Sequence, residues 1–279
     1  VLILEKHMEY FIYLALGSIA GLVSGLFGVG GGTVIVPILL LSFAAQDISS
    51  SVATHLAIAT SLACIAVSSV SSLFTHYQKG AIDLGLIKFF VPGIIVGTLL
   101  GTSFFIAIEG MLLQFLLGAF LTIIGLQMVI YRSVTEAATL PYKGWLATLG
   151  VAVGGMSALF GVGGGMFTTP LLTYFGVQIH RAIGVAAVGG FFIALTASVI
   201  NGSRDLGSSA MPDMVIGYIF IPAWIGIIIT SMPFARLGAK LAHRANEQQL
   251  KQVFGGFLFL LGIWFVWRNA GSYLILAAN

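Results

Sequence analysis

The sequence predicts an all-α polytopic membrane protein made of two inverted repeats, each with a glycine-broken helical hairpin and about three further transmembrane helices. Three observations lead to this fold class: an apolar composition, a repeated glycine motif and an uneven distribution of Lys and Arg. Of the residues, 58% are hydrophobic and 8% are charged. That composition excludes an ordinary water-soluble domain and indicates a chain surrounded by lipid.

Uncharged and mostly apolar runs recur along the whole chain. A helix that spans a bilayer needs about 20 apolar residues. Runs of about that length or more occupy residues 10–46, 56–75, 89–108, 110–131, 144–179, 182–203, 214–235 and 252–267. The runs lack the polar and apolar alternation that marks the strands of an outer-membrane barrel, so each run is predicted to be helical.

A motif in the first run returns at a constant offset in the second half of the chain. The aligned pairs are Ser24 with Ser157, Gly28 with Gly161 and Pro37 with Pro170. The sequence therefore predicts a first membrane repeat over residues 1–131, a polar linker over 132–143 and a second membrane repeat over 144–279. Many secondary transporters are built from such internal repeats.

Each copy of the motif contains the block GVGGG deep inside an apolar run. Consecutive glycines cost about 1 kcal/mol each in a helix interior. The block is therefore predicted to end one helix and start another, with new helices over residues 33–43 and 166–174. Close helix packing is the alternative use of glycine, but it favours glycines four positions apart, and a nucleotide-binding loop would follow a strand.

Charge separates two possible topologies. If the first run crosses the membrane once, the loops divide Lys and Arg seven to five between the two faces; if it folds back as a hairpin, the division is nine to three. The second division matches the preference of cytoplasmic loops for basic residues. It predicts inverted repeats, with both termini outside the cytoplasm and the two GVGGG tips approaching the membrane centre from opposite sides.

The glycine tips are the candidate substrate site. A helix that begins at membrane depth presents unpaired N–H groups and a positive dipole end, and both favour anions. The predicted spans contain no Arg or Lys, since the nearest, Lys88, sits at a run's edge, so amides and hydroxyls would bind the anion. The predicted substrate-binding residues are Ser24, Gly28, Gly30, Gly31, Gly32, Thr33, Thr60, Ser68, Ser157, Gly161, Gly163, Gly164, Gly165 and Met166.

Small polar side chains recur every three or four residues along the second run, at Thr60, Cys64, Ser68, Ser71 or Ser72, and Thr75. This stripe can face a substrate or bond to neighbouring helices, and the sequence leaves both uses open. His55 and His180 lie at the edges of apolar runs and are interpreted as interfacial. His76 ends the stripe and leaves proton coupling open.

Other features bear on cofactors, partners and enzymatic function. The single cysteine, Cys64, lies inside an apolar run, so no internal disulfide, metal centre or cofactor is predicted. A net charge of +3 suits basic cytoplasmic loops and predicts no nucleic-acid partner; a small anion and membrane lipid are the expected partners. Because the centres of the runs carry no ionisable Asp, Glu, Lys or Arg, an embedded enzyme is not expected. A non-transporting scaffold and any oligomeric state stay open.

The blocks SGLFGVGGGTVIVP and SALFGVGGGMFTTP, followed by HLAIATSL and HRAIGVAA, resemble the TauE/SafE family of sulfite exporters, also called DUF81 or TSUP. The resemblance covers nearly the whole chain. It implies a multi-pass secondary transporter of the prokaryotic cytoplasmic (inner) membrane that moves sulfite, sulfonates or sulfoacetate-like anions by alternating access around a midplane site. An anion channel or an uptake carrier for organic carboxylates is the alternative. The second copy departs from the pattern at Ala158 and Ala186, so the halves are not expected to contribute equally.

Overall fold

The computed structural model describes residues 12–23, 31–78, 80–130, 143–204, 212–242 and 247–277. Within these ranges the chain forms ten helices and one small β-hairpin. The helices are α1 (Ile12–Val23), α2 (Gly32–Ala45), α3 (Ser50–Gln78), α4 (Leu84–Ala107), α5 (Gly110–Ile130), α6 (Lys143–Phe160), α7 (Gly165–Tyr174), α8 (Ile179–Gly202), α9 (Ile221–Ala242) and α10 (Glu247–Ala277). Between α8 and α9, strands β1 (Val215–Ile216) and β2 (Ile219–Phe220) pair antiparallel.

Five of the described helices are long and apolar enough to cross a membrane, namely α3, α4, α5, α8 and the central part of α10. Four more, α1, α2, α6 and α9, carry shorter apolar segments. The predicted all-α polytopic membrane fold is thereby confirmed. The insertion of the two copies with opposite orientation stays a prediction, as do the limits of the two repeats and of the linker.

The order of helices in the first half, α1 to α5, returns in the second half as α6 to α10. The first helix of each copy packs against the other copy: α6 packs on α4, and α1 packs on α9. Along the first of these contacts Gly93, Gly97 and Gly101 approach the backbone of Ala147, Val151 and Gly155, respectively. Residue numbers rise together on both helices, so α4 and α6 run parallel. Glycine permits this because it leaves room for backbone-to-backbone contact.

Helices that correspond to each other in the two copies also pack together, but in opposite directions. Gly118 and Gly125 of α5 lie against Gly262 and Gly255 of α10, respectively. Residue numbers rise along α5 as they fall along α10, so this pair is antiparallel. The corresponding helices α3 and α8 are also antiparallel.

The direction of α8 relative to α3 follows from contacts at both ends. Just beyond the end of α3, Asp83, the N-cap of α4, makes an ion pair of 3.5 Å with Arg181 in the first turn of α8. At the start of α3, the ring of Tyr218 stacks on His55, and the backbone N–H of Tyr218 donates to a carbonyl in the last turn of α8. The start of α3 therefore lies beside the end of α8.

Helix α3 lies at the centre of the molecule. It contacts α2, α5, α8, α9 and β2, and its residues 53–65 are all buried. Beyond residue 66 most of its side chains are exposed, including Val70, Phe74 and Tyr77. The buried half of α3 therefore supports the glycine segments of both copies.

Candidate functional site

Helix α6 ends in a glycine turn. Gly161 has φ of +69°, a left-handed conformation that glycine adopts without steric cost. The backbone N–H of Val162 donates to the carbonyl of Ser157 at 3.0 Å, which is the hydrogen bond of a Schellman motif closing a helix. Helix α7 then begins at Gly165. The second GVGGG block therefore separates two helices, as the sequence predicted.

The helices that follow the glycine blocks, α2 and α7, begin without a side-chain cap. Their N-caps are Gly31 and Gly164, and neither first turn contains an acidic residue. The first amides of an α-helix find no carbonyl in their own helix. At these starts the N–H of Val34 donates to the carbonyl of Gly31 at 3.1 Å and the N–H of Met166 to that of Gly163 at 3.4 Å, and each start presents the positive end of the helix dipole. The predicted helix starts agree with those observed to within about one residue.

The two glycine blocks lie in contact. Gly32 of α2 lies against the carbonyl oxygen of Gly161 and the Cα atom of Val162, so that a methyl group on Gly32 would overlap both. The hydroxyl of Ser61, on the buried half of α3, donates to the carbonyl of Gly161 at 2.9 Å. The structure thus brings a first-copy tip and a second-copy tip together beside α3.

Two hydroxyls beside the second block are buried and have no hydrogen-bond partner among the described atoms. They are Ser157 Oγ, before the turn, and Thr168 Oγ1, in the first turns of α7, and both residues are 0% exposed. A buried polar group left without a partner costs about 1–3 kcal/mol, so each site is suited to accept a bound polar group. Thr168 escaped the sequence analysis because Ile35 stands at the matching position of the first copy. Its position just after a glycine block was the available signal.

The predicted hydroxyls of α3 have different surroundings. Thr60 is buried, and its Oγ1 accepts a hydrogen bond of 2.9 Å from the backbone N–H of Phe220 in β2. Ser68 is exposed and donates to the carbonyl of Ile65 at 3.3 Å. The side chain of Ile65 is the part of α3 that contacts Gly163. Ser68 therefore lies one turn beyond the tips, and Thr60 is bonded to the hairpin.

The other predicted residues divide into three groups. Thr33, in the first turn of α2, is buried, and Met166, in the first turn of α7, is half-buried. Gly163 and Gly164 are buried, and Gly165 is partly exposed. Ser24, Gly28 and Gly30 lie outside the described residues.

The electrostatics of the tips come from the backbone. Residues 31–46 and 144–178 contain no Asp, Glu, Lys, Arg or His, and α3 contains no Asp, Glu, Lys or Arg. Across the part of the chain that the structure describes, no group of His, Cys, Asp and Glu is arranged to hold a metal ion. A ligand at the tips would meet amide donors, hydroxyls and helix dipoles, and this combination suits a small anion.

Comparison with known proteins agrees with this description. A family model described as sulfite exporter TauE/SafE matches residues 13–265. The chain is 30% identical to a "Probable membrane transporter protein" of Haemophilus influenzae, covering 92% of this chain and 98% of the relative. It is 27% identical to the "Probable membrane transporter protein YunE" of Bacillus subtilis (95% and 100% coverage), and 26% identical to a protein of Methanocaldococcus jannaschii with the same description (94% and 98%). No solved structure matches the chain significantly.

Proposed function

We propose that this chain, which belongs to the sulfite exporter TauE/SafE family, is a secondary transporter that moves a small sulfur-containing anion, such as sulfite or a sulfonate, by alternating access. Family membership and the names of the relatives identify a membrane transporter, a multi-pass protein of the prokaryotic inner membrane. The choice of anion and the location of its site are the proposal.

One observation carries the proposal: the start of α2 touches the glycine turn that precedes α7, at Gly32 and Gly161. Two uncapped helix starts are thereby close to one another, and their dipoles add to a positive potential without any cationic side chain. The hydroxyls of Ser157, before the turn, and Thr168, in the first turns of α7, have no partner among the described atoms. The oxygens of a sulfite or sulfonate group accept hydrogen bonds from such donors, whereas a cation would find no carboxylate on these segments.

Space at the start of α7 supports a small ligand. An added Cβ atom at Gly165 would meet nothing within 4 Å, whereas one at Gly164 would lie 2.8 Å from the backbone nitrogen of Gly190. The open side of α7 therefore lies at its first residue. A small anion reaching that residue would approach the first amides of the helix directly.

The antiparallel packing of corresponding helices supports inverted repeats and hence alternating access. A two-fold rotation that exchanges α5 with the antiparallel α10 must turn about an axis across the two helices. If both helices span the membrane, that axis lies in the membrane plane, which is the symmetry of inverted-repeat transporters. The antiparallel pair α3 and α8 requires the same axis. Rocking of the two copies between two symmetry-related arrangements would open the glycine tips first to one face of the membrane and then to the other.

A ligand screen tests the choice of anion. Purified protein in lipid nanodiscs is heated with sulfite, sulfate, thiosulfate, taurine, sulfoacetate or acetate, and the unfolding temperature is measured. A ligand at one hundred times its dissociation constant stabilises the folded state by about 2.7 kcal/mol, so a true substrate raises the unfolding temperature clearly. We expect a rise with sulfite or a sulfonate. A rise with acetate alone would favour the carboxylate carrier, and no rise with any anion would contradict the proposal.

Counterflow separates a carrier from a channel. Proteoliposomes loaded with unlabelled substrate take up labelled substrate faster through a carrier. The carrier carries unlabelled substrate outward as it reorients and is then available again to bind labelled substrate outside. A channel built from two facing half-helices would show no such stimulation. We expect stimulation by internal substrate, with Gly165→Val, which fills the space before α7, as the inactive control.

A further inference from the structure

His55, in the second turn of α3, has carbonyl oxygens at both ring nitrogens. Its Nδ1 atom lies 3.1 Å from the oxygen of Ser51 and its Nε2 atom 3.0 Å from the oxygen of Phe105. Carbonyl oxygens only accept hydrogen bonds, so only a ring protonated on both nitrogens donates to both. A neutral ring would direct one nitrogen lone pair at a carbonyl oxygen. Each ring nitrogen therefore has an acceptor for a proton.

The surroundings of the ring also suit a positive charge. Phe105 lies in the last turn of α4, where carbonyl groups lack partners in their own helix and the helix dipole is negative. The ring of Tyr218 stacks on His55 with centroids 5.3 Å apart, and the ring of Phe105 approaches it edge-on at 4.8 Å. The face of an aromatic ring attracts a cation, and the stacked Tyr218 ring presents such a face to His55. His55, interpreted as interfacial from the sequence, is 6% exposed.

Tyr218 belongs to a segment without counterpart in the first copy. The connection from α8 to α9 covers residues 203–220, whereas the one from α3 to α4 covers only 79–83. Besides the Tyr218 ring, the hairpin is joined to α3 by the hydrogen bond from Phe220 N–H to Thr60. The Phe220 ring packs edge-on against Tyr13 of α1 at 5.7 Å and Phe43 of α2 at 5.6 Å. The hairpin thus covers one end of α1, α2 and α3.

We propose that His55 is a proton-binding site and that its proton holds the hairpin Val215–Phe220 closed over this end of α3, coupling anion movement to proton movement. Loss of the proton to water removes one hydrogen bond between His55 and a neighbouring carbonyl and the charge on which the Tyr218 ring stacks. The hairpin then keeps its hydrogen bonds to Thr60 and α8 and the ring contacts of Phe220, and it opens more readily because the Tyr218 ring no longer stacks on a cation. The inference rests on the proposed anion transport and names its coupling ion.

Few other ionisable groups bear on this site among the described residues. Tyr218 is the ionisable side chain in contact with the ring. The segments that meet at this end of the bundle also carry Asp47, Glu109, Arg204 and Asp213, all of them exposed. The counterpart of His55 in the second copy, His180, is exposed in the first turn of α8. It provides a matched control within the same chain.

The protonation state is measured directly by NMR of the whole protein in nanodiscs, with histidine ring nitrogens labelled with 15N. The signal lost in His55→Gln identifies His55. We expect both of its ring nitrogens to carry protons in the closed state. A ring with a single proton at every pH between about 5 and 8, the range in which histidine changes charge, overturns the proposal and leaves His55 as a neutral cap of α4.

Coupling is measured in proteoliposomes with labelled sulfoacetate as the probe. Sulfite is less suitable because its own protonation state changes with pH near neutrality. A gradient of one pH unit can change steady-state accumulation about tenfold for each proton coupled. We expect this response in the parent and in His180→Gln. In His55→Gln we expect counterflow without the response, and a parental response there overturns the proposal.

Two hairpin variants keep the test decisive if His55→Gln does not fold. Tyr218→Phe retains the stacked ring and should keep the pH response, whereas Tyr218→Leu should weaken it. Equal responses in these two variants count against the proposal. If the parent moves no sulfoacetate, the proposed function fails for that anion, and the NMR measurement still decides the state of His55.

Discussion

The hydroxyl of Ser61 donates a hydrogen bond of 2.9 Å to the carbonyl oxygen of Gly161, which lies 100 positions away in the other copy. This bond fixes the second glycine turn against the buried half of α3. Ala186 occupies the position of Ser61 in α8, so α8 cannot make the corresponding bond. The two tips are therefore supported differently, in line with the departures of the second copy from the motif.

Ser61→Ala should loosen the second tip. It removes one hydrogen bond and leaves a buried carbonyl unpaired, at a cost of about 1–3 kcal/mol. We expect a lower unfolding temperature and a several-fold weaker affinity for the best anion of the screen. Ser69→Ala is the control, since the Ser69 hydroxyl is also buried but donates within its own helix, to Ala66 at 3.1 Å. Equal losses of affinity in both variants would contradict a role for the Ser61 bond.

Glycine substitutions at the tips should separate folding from transport. Gly164→Ala presses on the backbone of Gly190 and should lower stability, whereas Gly165→Val extends into open space. We expect Gly165→Val to insert and unfold as the parent does but to lose counterflow, because its side chain blocks the first amides of α7. In the first copy, Gly31→Val should likewise abolish transport. Normal transport by a well-expressed Gly165→Val protein would mean that the glycines serve packing alone.

Removing an unpartnered hydroxyl should affect binding without harming the fold. Thr168→Val and Ser157→Ala each delete a buried hydroxyl that has no partner among the described atoms. We expect unchanged or raised stability without ligand, because an unsatisfied polar group is removed. We also expect weaker anion binding by calorimetry. Parental affinity in both variants would exclude these hydroxyls from the site.

Charge at the start of α2 should matter more than the loss of a hydroxyl. Thr33 is 1% exposed in the first turn of α2. A carboxylate there opposes an anion that relies on the helix dipole, which is equivalent to about half an elementary charge. We expect Thr33→Asp to lose anion binding more completely than the nearly isosteric Thr33→Val. Equal affinities, or parental binding by Thr33→Asp, would locate the anion elsewhere.

Cysteine labelling tests the orientation of the two copies. Cys64 is buried, so Cys64→Ala provides a background for Ser133→Cys in the linker, Ala245→Cys between α9 and α10, and Gly271→Cys near the C-terminus. We expect an impermeant reagent to reach the first two from the cytoplasmic face and the third from the opposite face. Labelling of the linker and of Gly271 from one side would rule out inverted repeats.

Local features of the fold were readable from the sequence. Consecutive glycines weaken a helix wherever they occur, and the second block separates α6 from α7. The predicted helices over residues 33–43 and 166–174 lie within the observed α2 and α7. The run over residues 214–235 was less informative. Its first residues form the hairpin, which turns at Gly217 with φ of +56°, and α9 begins only at Ile221. An apolar composition does not distinguish a short hairpin from the start of a helix.

The sequence by itself determined the membrane class, the repeated glycine motif, the helix break at the second copy of that motif and the family. Tertiary structure alone decided which segments meet: α6 on α4, Ser61 on Gly161, Phe220 on Thr60 and the carbonyl of Phe105 on His55. Helices in lipid are apolar on every side, so hydrophobic periodicity does not mark the face that contacts a partner. Contacts between residues far apart in the chain depend on close backbone packing and on single hydrogen bonds. Such contacts exist only once the helices are assembled.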